Sequence, residues 1–203
     1  MTTDLPTGNL ALSPTYPDLT NKVAVVTGGS RGIGAAICRL LAANKVKVVV
    51  NGRDQAAIDA VVECIWDNGG QALGITADVT RFEALETMRQ QTEQAFGPVD
   101  VLVAVAGGYG EPAPTLQMTE EQWRFVVDAN LTATFLTLKS FLPGMIERRC
   151  GSIITMSSTA GRVPSLSSSA YAAAKAGIVT LTRHLANEVG KHNVRVNCIA
   201  PGA

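Results

Sequence analysis

Six short apolar runs, separated by longer stretches of helical periodicity, constrain this chain more than any other feature. The runs are KVAVVT (22–27), VKVVVN (46–51), QALGIT (71–76), VDVLVAV (99–105), GSIITMS (151–157) and VRVNCI (194–199). Several are apolar almost throughout, as expected of parallel strands covered on both faces. Helical patterns fill the intervals at 31–44, 55–68, 81–96, 119–148 (read as two helices) and 169–191. Within them TEEQ, Thr119 to Gln122, has capping-box spacing and is expected to start the fourth helical region. This β-α alternation predicts a doubly wound α/β domain built on a parallel sheet. Ligands of such sheets bind beyond the carboxyl ends of the strands, near the point where strand order reverses. The residues just after each strand therefore carry the functional information.

With 203 residues the chain has room for one domain with a substantial core, expected over 21–203. Residues 1–20, with three prolines and scattered hydroxyls, read as a flexible extension. Seventeen basic and 17 acidic side chains cancel, and no basic patch is visible, so nucleic acid is not an expected partner. No apolar run approaches the roughly 20 residues of a membrane span. The N-terminus lacks a basic region followed by an apolar core, and a cytoplasmic location is expected. The four cysteines, at 38, 64, 150 and 198, are far apart and form no CxxC or Cys/His cluster. Neither a metal site nor a disulfide framework is expected from them, and His184 and His192 stand alone.

VTGGSRGIGAA follows the first run and opens the first helix. The G-x-G-x-x-G fingerprint does not fit it, because Gly32-Ile33-Gly34 is followed by Ala35, Ala36 and Ile37. A P-loop nearly fits, but Ala35-Ala36 replace the lysine and hydroxyl that phosphoryl transfer requires. What remains is glycine at 28, 32 and 34 at a helix N-terminus, where backbone can approach an anion. A packing-driven turn accounts for the same residues, so the end of the second strand becomes the next test. A site for NAD places an acidic residue there, on the ribose 2′-hydroxyl. Here that position is Gly52, followed by Arg53, and Arg31 lies in the glycine loop. Two guanidiniums can hold a 2′-phosphate, which favours NADP(H) over NAD(H). Asp54 keeps NAD(H) open, since a shift of one residue brings a carboxylate nearer the ribose.

SSSAYAAAKAG (167–177) places Tyr171 and Lys175 four residues apart. On a helix they share a face, about 6 Å apart along the axis. Such a pair is either incidental to a packed helix or a device for moving protons. A free phenol titrates near about 10, and a cation close by favours its ionised form.

Taken together these residues resemble the short-chain dehydrogenases/reductases, over Lys22 to Ala203. TGGSRGIG (27–34) is similar to the family's cofactor motif, engaging Gly28, Ser30, Arg31, Gly32, Ile33 and Gly34. ADV (77–79) resembles the element whose acid, Asp78, bonds the adenine amino group while Val79 packs on the ring. AVAG (104–107) stands where many members have two asparagines before Ala106 and Gly107; Ala104 and Val105 replace them, so local support must differ. DANL (128–131) supplies Asn130, YAAAK supplies Tyr171 and Lys175, and APG (200–202) resembles the turn beside the nicotinamide, with Pro201 and Gly202. The resemblance implies a Rossmann fold and a catalytic set of Asn130, Ser158, Tyr171 and Lys175. Ser158 lies thirteen residues before Tyr171, with Ser157 as the lesser candidate. In this set Tyr171 gives the proton and Lys175 lowers its pKa and bonds the nicotinamide ribose. Ser158 donates to the substrate oxygen, and Asn130 holds a water linking the lysine to solvent.

The wording of the chain is most similar to 3-oxoacyl-[acyl-carrier-protein] reductases and their relatives. That implies hydride transfer between NADP(H) and a small-molecule or carrier-bound carbonyl. An NAD-dependent dehydrogenase of a sugar, polyol or steroid alcohol, and a non-catalytic cofactor-binding scaffold, are the alternatives. A methyltransferase would need an acid ending the second strand and has no use for Ser158, Tyr171 and Lys175. Tyr109, Leu116 and Met118, in the segment after the fourth run, are placed to contact an apolar substrate. The chain stops just after the PG turn, so the last helices and strand of the family are expected to be missing. A homodimer or homotetramer is the assembly the family implies for a full-length chain.

Overall fold

The computed structural model describes residues 15–202. Six strands form one parallel sheet: β1 (Val23–Thr27), β2 (Lys47–Gly52), β3 (Gln71–Thr76), β4 (Val101–Ala104), β5 (Gly151–Met156) and β6 (Val194–Ile199). Their order is β3-β2-β1-β4-β5-β6, so strand order reverses between β1 and β4, and a crevice opens there. Six helices cover the sheet: α1 (Gly32–Ala43), α2 (Gln55–Asp67), α3 (Phe82–Phe96), α4 (Glu120–Val127), α5 (Ala133–Arg148) and α6 (Ser169–Val189).

Alternate strand residues feed two cores. Val23, Val25, Val49, Leu102 and Ile153 point to the side covered by α3, α5 and α6, where Leu85, Met88, Phe141, Met145 and Leu185 meet them. Ala24, Val26, Val48, Val50 and Val103 point to the other side, against Cys38 of α1 and Ile58 and Val62 of α2. With both faces covered, apolar residues are required at every position, which is why the runs read as continuous rather than alternating.

Two boundaries differ instructively from the sequence reading. β4 begins two residues later than expected, because Asp100 closes the ladder itself. Its N–H donates to Val23 O at 2.9 Å and its carboxylate accepts from the Val23 N–H at 3.0 Å. The 119–148 stretch holds two helices, as read, with no break between them. α4 runs into α5 through one π-helical turn, Asp128–Thr132, and Thr119 starts it with both bonds of the capping box. The resulting 29-residue stretch, Glu120–Arg148, is by length and composition apolar enough to cross a membrane. Its apolar side chains Ala133, Leu138, Phe141 and Met145 are buried against the sheet and its helices instead.

Of the expected N-terminal extension, residues 1–14 lie outside the described residues. Residues 15–20 are tied down: the Tyr16 N–H donates to Asn44 Oδ1 at 2.7 Å, Pro17–Leu19 form a 3-10 turn, and Leu19 packs on the α1/α2 core.

Candidate active site

The loop after β1 is a backbone surface packed to its limit. A Cβ on Gly34 would stand 2.1 Å from Gly28 O, and one on Gly28 would stand 2.9 Å from Ala106 Cα. Gly28 and Gly32 have left-handed φ of 67° and 50°. No atom lies within 4 Å of where a Cβ on Gly32 would be, so the tip of the loop is open. Arg31, the residue preceding α1, provides no side-chain cap, leaving the first N–H groups of the helix for another acceptor. An open cradle at an uncapped helix N-terminus fits a dinucleotide pyrophosphate. Ser30 packs its hydroxyl over Gly52, where a Cβ would meet it at 2.7 Å, and Ile33 is half exposed.

At the adenosine end the side chains are already engaged with one another. Arg31 forms an ion pair with Asp54, which also caps α2 by accepting from the Ala57 N–H at 3.2 Å. Gly52 ends β2 as expected, Arg53 follows it exposed, and Arg53 lies close enough to Asp78 to help hold its carboxyl down. The larger causes of that lowering are the Thr80 hydroxyl and N–H, which bond Asp78 Oδ1 at 2.7 and 3.0 Å. Val79, expected against the adenine, packs at the edge of the core with Leu85. Asn51, which sequence reasoning passed over, is buried in β2. It donates to Ile75 O and Ala77 O at 3.1 and 3.2 Å, fixing the end of β3 beneath this region.

Across the crevice, the π-helical turn, the loop after β5 and the start of α6 supply Asn130, Ser158, Tyr171 and Lys175: Asn130 and Lys175 meet at Gly107 in the loop after β4, and Tyr171 neighbours both Lys175 and Ser158. A Cβ on Gly107 would meet Asn130 Oδ1 at 2.5 Å and Lys175 Nζ at 3.4 Å. Asn130 is fully buried in the π-helical turn and is bonded through both ends of its amide: Nδ2 donates to Gly108 O and Val126 O, both at 2.8 Å, and Oδ1 accepts from the Gly108 N–H at 3.3 Å. π-turns of this kind recur at functional sites, because the extra residue re-aims a side chain. Ser158 Oγ accepts from the Ala160 N–H at 3.2 Å, which opens a 3-10 turn. Ser157 is a structural bolt, donating to Lys175 O at 2.7 Å and holding α6 to β5. Pro201 O accepts from the Thr159 N–H at 3.0 Å, which draws the Pro201-Gly202 turn to the same edge. The missing asparagine support at Ala104 and Val105 is replaced in part by Thr27, whose hydroxyl accepts from the Ala106 N–H at 3.3 Å.

One expectation about charge is corrected. The net shift of the Tyr171 phenol is upward, not downward. Burial pushes Tyr171 up to about 12, Tyr109 adds to the rise, and the Ser158 hydroxyl opposes it. Burial also pulls Lys175 down to about 8, against a smaller opposing effect from Cys198. Lys175 Nζ donates to Met156 O at 3.0 Å and lies 5.4 Å from the centroid of the Tyr171 ring. Desolvation of two groups that are 6% and 4% exposed outweighs their mutual influence. Tyr109 stacks on Tyr171 with ring centroids 4.5 Å apart and an interplanar angle of 35°.

Other candidate features lie apart. Among the described residues no three of His, Cys, Asp and Glu converge as a ligand set for a metal. A groove of about 770 Å³ between α3 and α5 is lined by charged residues, among which Arg89 pairs with Glu86 and Glu93.

A family model described as short chain dehydrogenase matches residues 22–203. A 3-oxoacyl-[acyl-carrier-protein] reductase of Synechocystis sp. is 40% identical over 185 residues, covering 91% of this chain and 74% of that protein. Glucose 1-dehydrogenase 2 of Bacillus subtilis is 38% identical over 189 residues, covering 92% and 73%. The crystal structure of a 3-oxoacyl-[acyl-carrier protein] reductase with bound NAD from Brucella melitensis superposes with a TM-score of 0.86 at 35% identity, covering 92% and 72%.

Proposed function

This chain belongs to the short-chain dehydrogenase family, oxidoreductases that interconvert CH–OH and C=O groups with NAD(P)(H), and from that premise we propose that it is an NADPH-preferring ketone reductase. The observation that carries the reading is the cluster in which the Tyr171 ring lies 5.4 Å from Lys175 Nζ and its hydroxyl neighbours Ser158, with Lys175 against Gly107 and the open glycine cradle at the other side of the crevice. The nicotinamide, when bound, supplies the hydride. Gly28, Gly32, Gly34 and the N-terminus of α1 would hold the pyrophosphate, and Arg31 and Arg53 a 2′-phosphate.

Reduction of a carbonyl builds negative charge on its oxygen, which needs hydrogen-bond donors and a proton. Ser158 donates to that oxygen and fixes its position. Tyr171, a neutral phenol at neutral pH, is placed to give the proton to that oxygen. Lys175, anchored on Met156 O, keeps an ammonium beside the phenol that stabilises the phenolate left after transfer. Asn130 fixes the Gly107-Gly108 wall through its bonds to Gly108, and its Oδ1 keeps a second lone pair for the water that would link Lys175 to solvent.

An NAD-dependent dehydrogenase is the second reading, and the Arg31–Asp54 pair favours it, because it neutralises one of the two guanidiniums intended for the 2′-phosphate. Steady-state reduction of a panel of ketones with NADPH and with NADH separates the two. In the same assay Ser158→Ala should lose about a hundredfold in kcat/KM. Undiminished turnover in that variant would remove Ser158 from the chemistry.

A further inference from the structure

We infer that Tyr109 is the specificity-determining residue of this site and selects carbonyl compounds whose substituent is a flat, uncharged ring; the inference rests on the ketone-reductase reading above. Tyr109 is 65% exposed, whereas Tyr171 beneath it is only 6% exposed. Its ring covers the proton donor at a centroid distance of 4.5 Å, the near limit for aromatic pairs. A carbonyl oxygen approaching the Tyr171 hydroxyl therefore brings its substituent to the space the Tyr109 ring now takes.

The backbone on either side of Tyr109 is held. Asn130 bonds both the N–H and the C=O of Gly108, at 3.3 and 2.8 Å. Gly110 adopts φ of 64° and abuts α4 so closely that a Cβ would lie 2.5 Å from Val126 Cγ2. The side chain of Tyr109 can thus swing aside while its Cα stays in place, and the displaced ring then flanks the substrate. A planar substituent regains the ring–ring contact that Tyr109 loses with Tyr171. A flexible alkyl chain does not, and it also loses chain entropy on binding.

The surroundings match an uncharged ligand. Tyr171, Val126, Ala160 and Ala170, with Met118 packed on them, form an apolar cluster separate from the two cores of the sheet. Glu111 is the sole charged residue of 107–118, and Arg162 the sole one of 158–170.

The test compares acetophenone with 2-octanone, two methyl ketones with the same number of carbons, in the unaltered chain, Tyr109→Ala and Tyr109→Phe. The ratio of kcat/KM values, ring over chain, should fall about three- to tenfold in Tyr109→Ala and stay within twofold in Tyr109→Phe, which keeps the ring. Saturation-transfer NMR titrations of the same two ketones should show the same change in the ratio of dissociation constants. An unchanged ratio in Tyr109→Ala overturns the inference, and so does an equal loss in Tyr109→Phe, which would assign the effect to the hydroxyl. If the unaltered chain reduces neither compound, the ketone-reductase reading is what fails, and the binding ratios still decide the role of Tyr109.

Discussion

The two walls of the crevice are made of different material. The wall after β1 is backbone: glycines packed too tightly for a Cβ, with Arg31, Gly32 and Ile33 exposed at its tip. The wall at the start of α6 is side chain: Tyr171 and Lys175 buried, each with its protonation displaced by desolvation. A backbone wall recognises by shape and dipole and fails when volume is added. A side-chain wall works through the identity of single atoms and fails when one of them is removed without any change of shape.

Tyr171→Phe removes one oxygen and nothing else, so it tests the second kind of dependence in isolation. Ketone reduction should fall by about 10²- to 10⁴-fold while the dissociation constant for NADPH, read by fluorescence titration, stays within twofold. A variant that retained turnover would show that the wall acts by shape after all.

Gly34→Ala is the converse test. The added methyl lies 2.1 Å from a backbone oxygen that has no room to retreat, and about 3 kcal/mol of stability should be lost, together with dinucleotide binding. Gly108→Ala, where nothing stands within 4 Å, should change stability by less than about 0.5 kcal/mol. Equal melting temperatures for the two variants would erase the distinction between the walls.

Lys175 sharpens the comparison through pH. An ammonium disfavoured by burial binds its proton less tightly in the folded chain than in the unfolded one. Between about 8 and the ordinary 10.5 the unfolded chain holds the extra proton, so stability from this group is lowest below pH 8 and rises across the window. Tyr171 acts oppositely and higher. The folded chain keeps its proton up to about 12 while the unfolded chain loses it near 10, so stability falls from 10 to 12. Urea unfolding at pH 8 and pH 10 should show the unaltered chain gaining about 2 kcal/mol relative to Lys175→Met. Parallel changes in the two proteins would mean that Lys175 is not desolvated.

These two walls were not equally legible in the sequence. Strands buried on both faces announce themselves as unbroken apolar runs, and β3 and β6 fall at 71–76 and 194–199 as expected. The glycine loop and the Tyr171–Lys175 spacing are local patterns, and local patterns survive in one dimension. What escaped is pairwise and distant. Asp100 capping β1, Asn130 gripping Gly108 and Tyr109 lying on Tyr171 each join residues 22 to 77 positions apart. The sense of the Tyr171 shift escaped for a related reason: spacing reports that Lys175 is near, but not that both groups are dry. The π-turn at Asp128–Thr132 was invisible because its residues are individually ordinary helix formers, and only the shared geometry sets them apart.

The smallest effect is expected at the outer edge of the backbone wall, at the exposed Arg31–Asp54 pair. Such pairs contribute less than about 1 kcal/mol to stability, and asparagine caps a helix about as well as aspartate, so Asp54→Asn should leave α2 and the fold intact. It releases the Arg31 guanidinium and removes a negative charge from the edge of the adenosine site. NADPH should then bind up to about fivefold more tightly, an effect that fades in high salt, while the NADH dissociation constant stays unchanged. Measuring both constants is essential, because their ratio alone moves the same way under the rival account. If Asp54 holds the ribose hydroxyls of NADH, the substitution weakens NADH and leaves NADPH where it was. That outcome would make the chain an NAD-dependent enzyme and Arg31 the residue that aims its carboxylate.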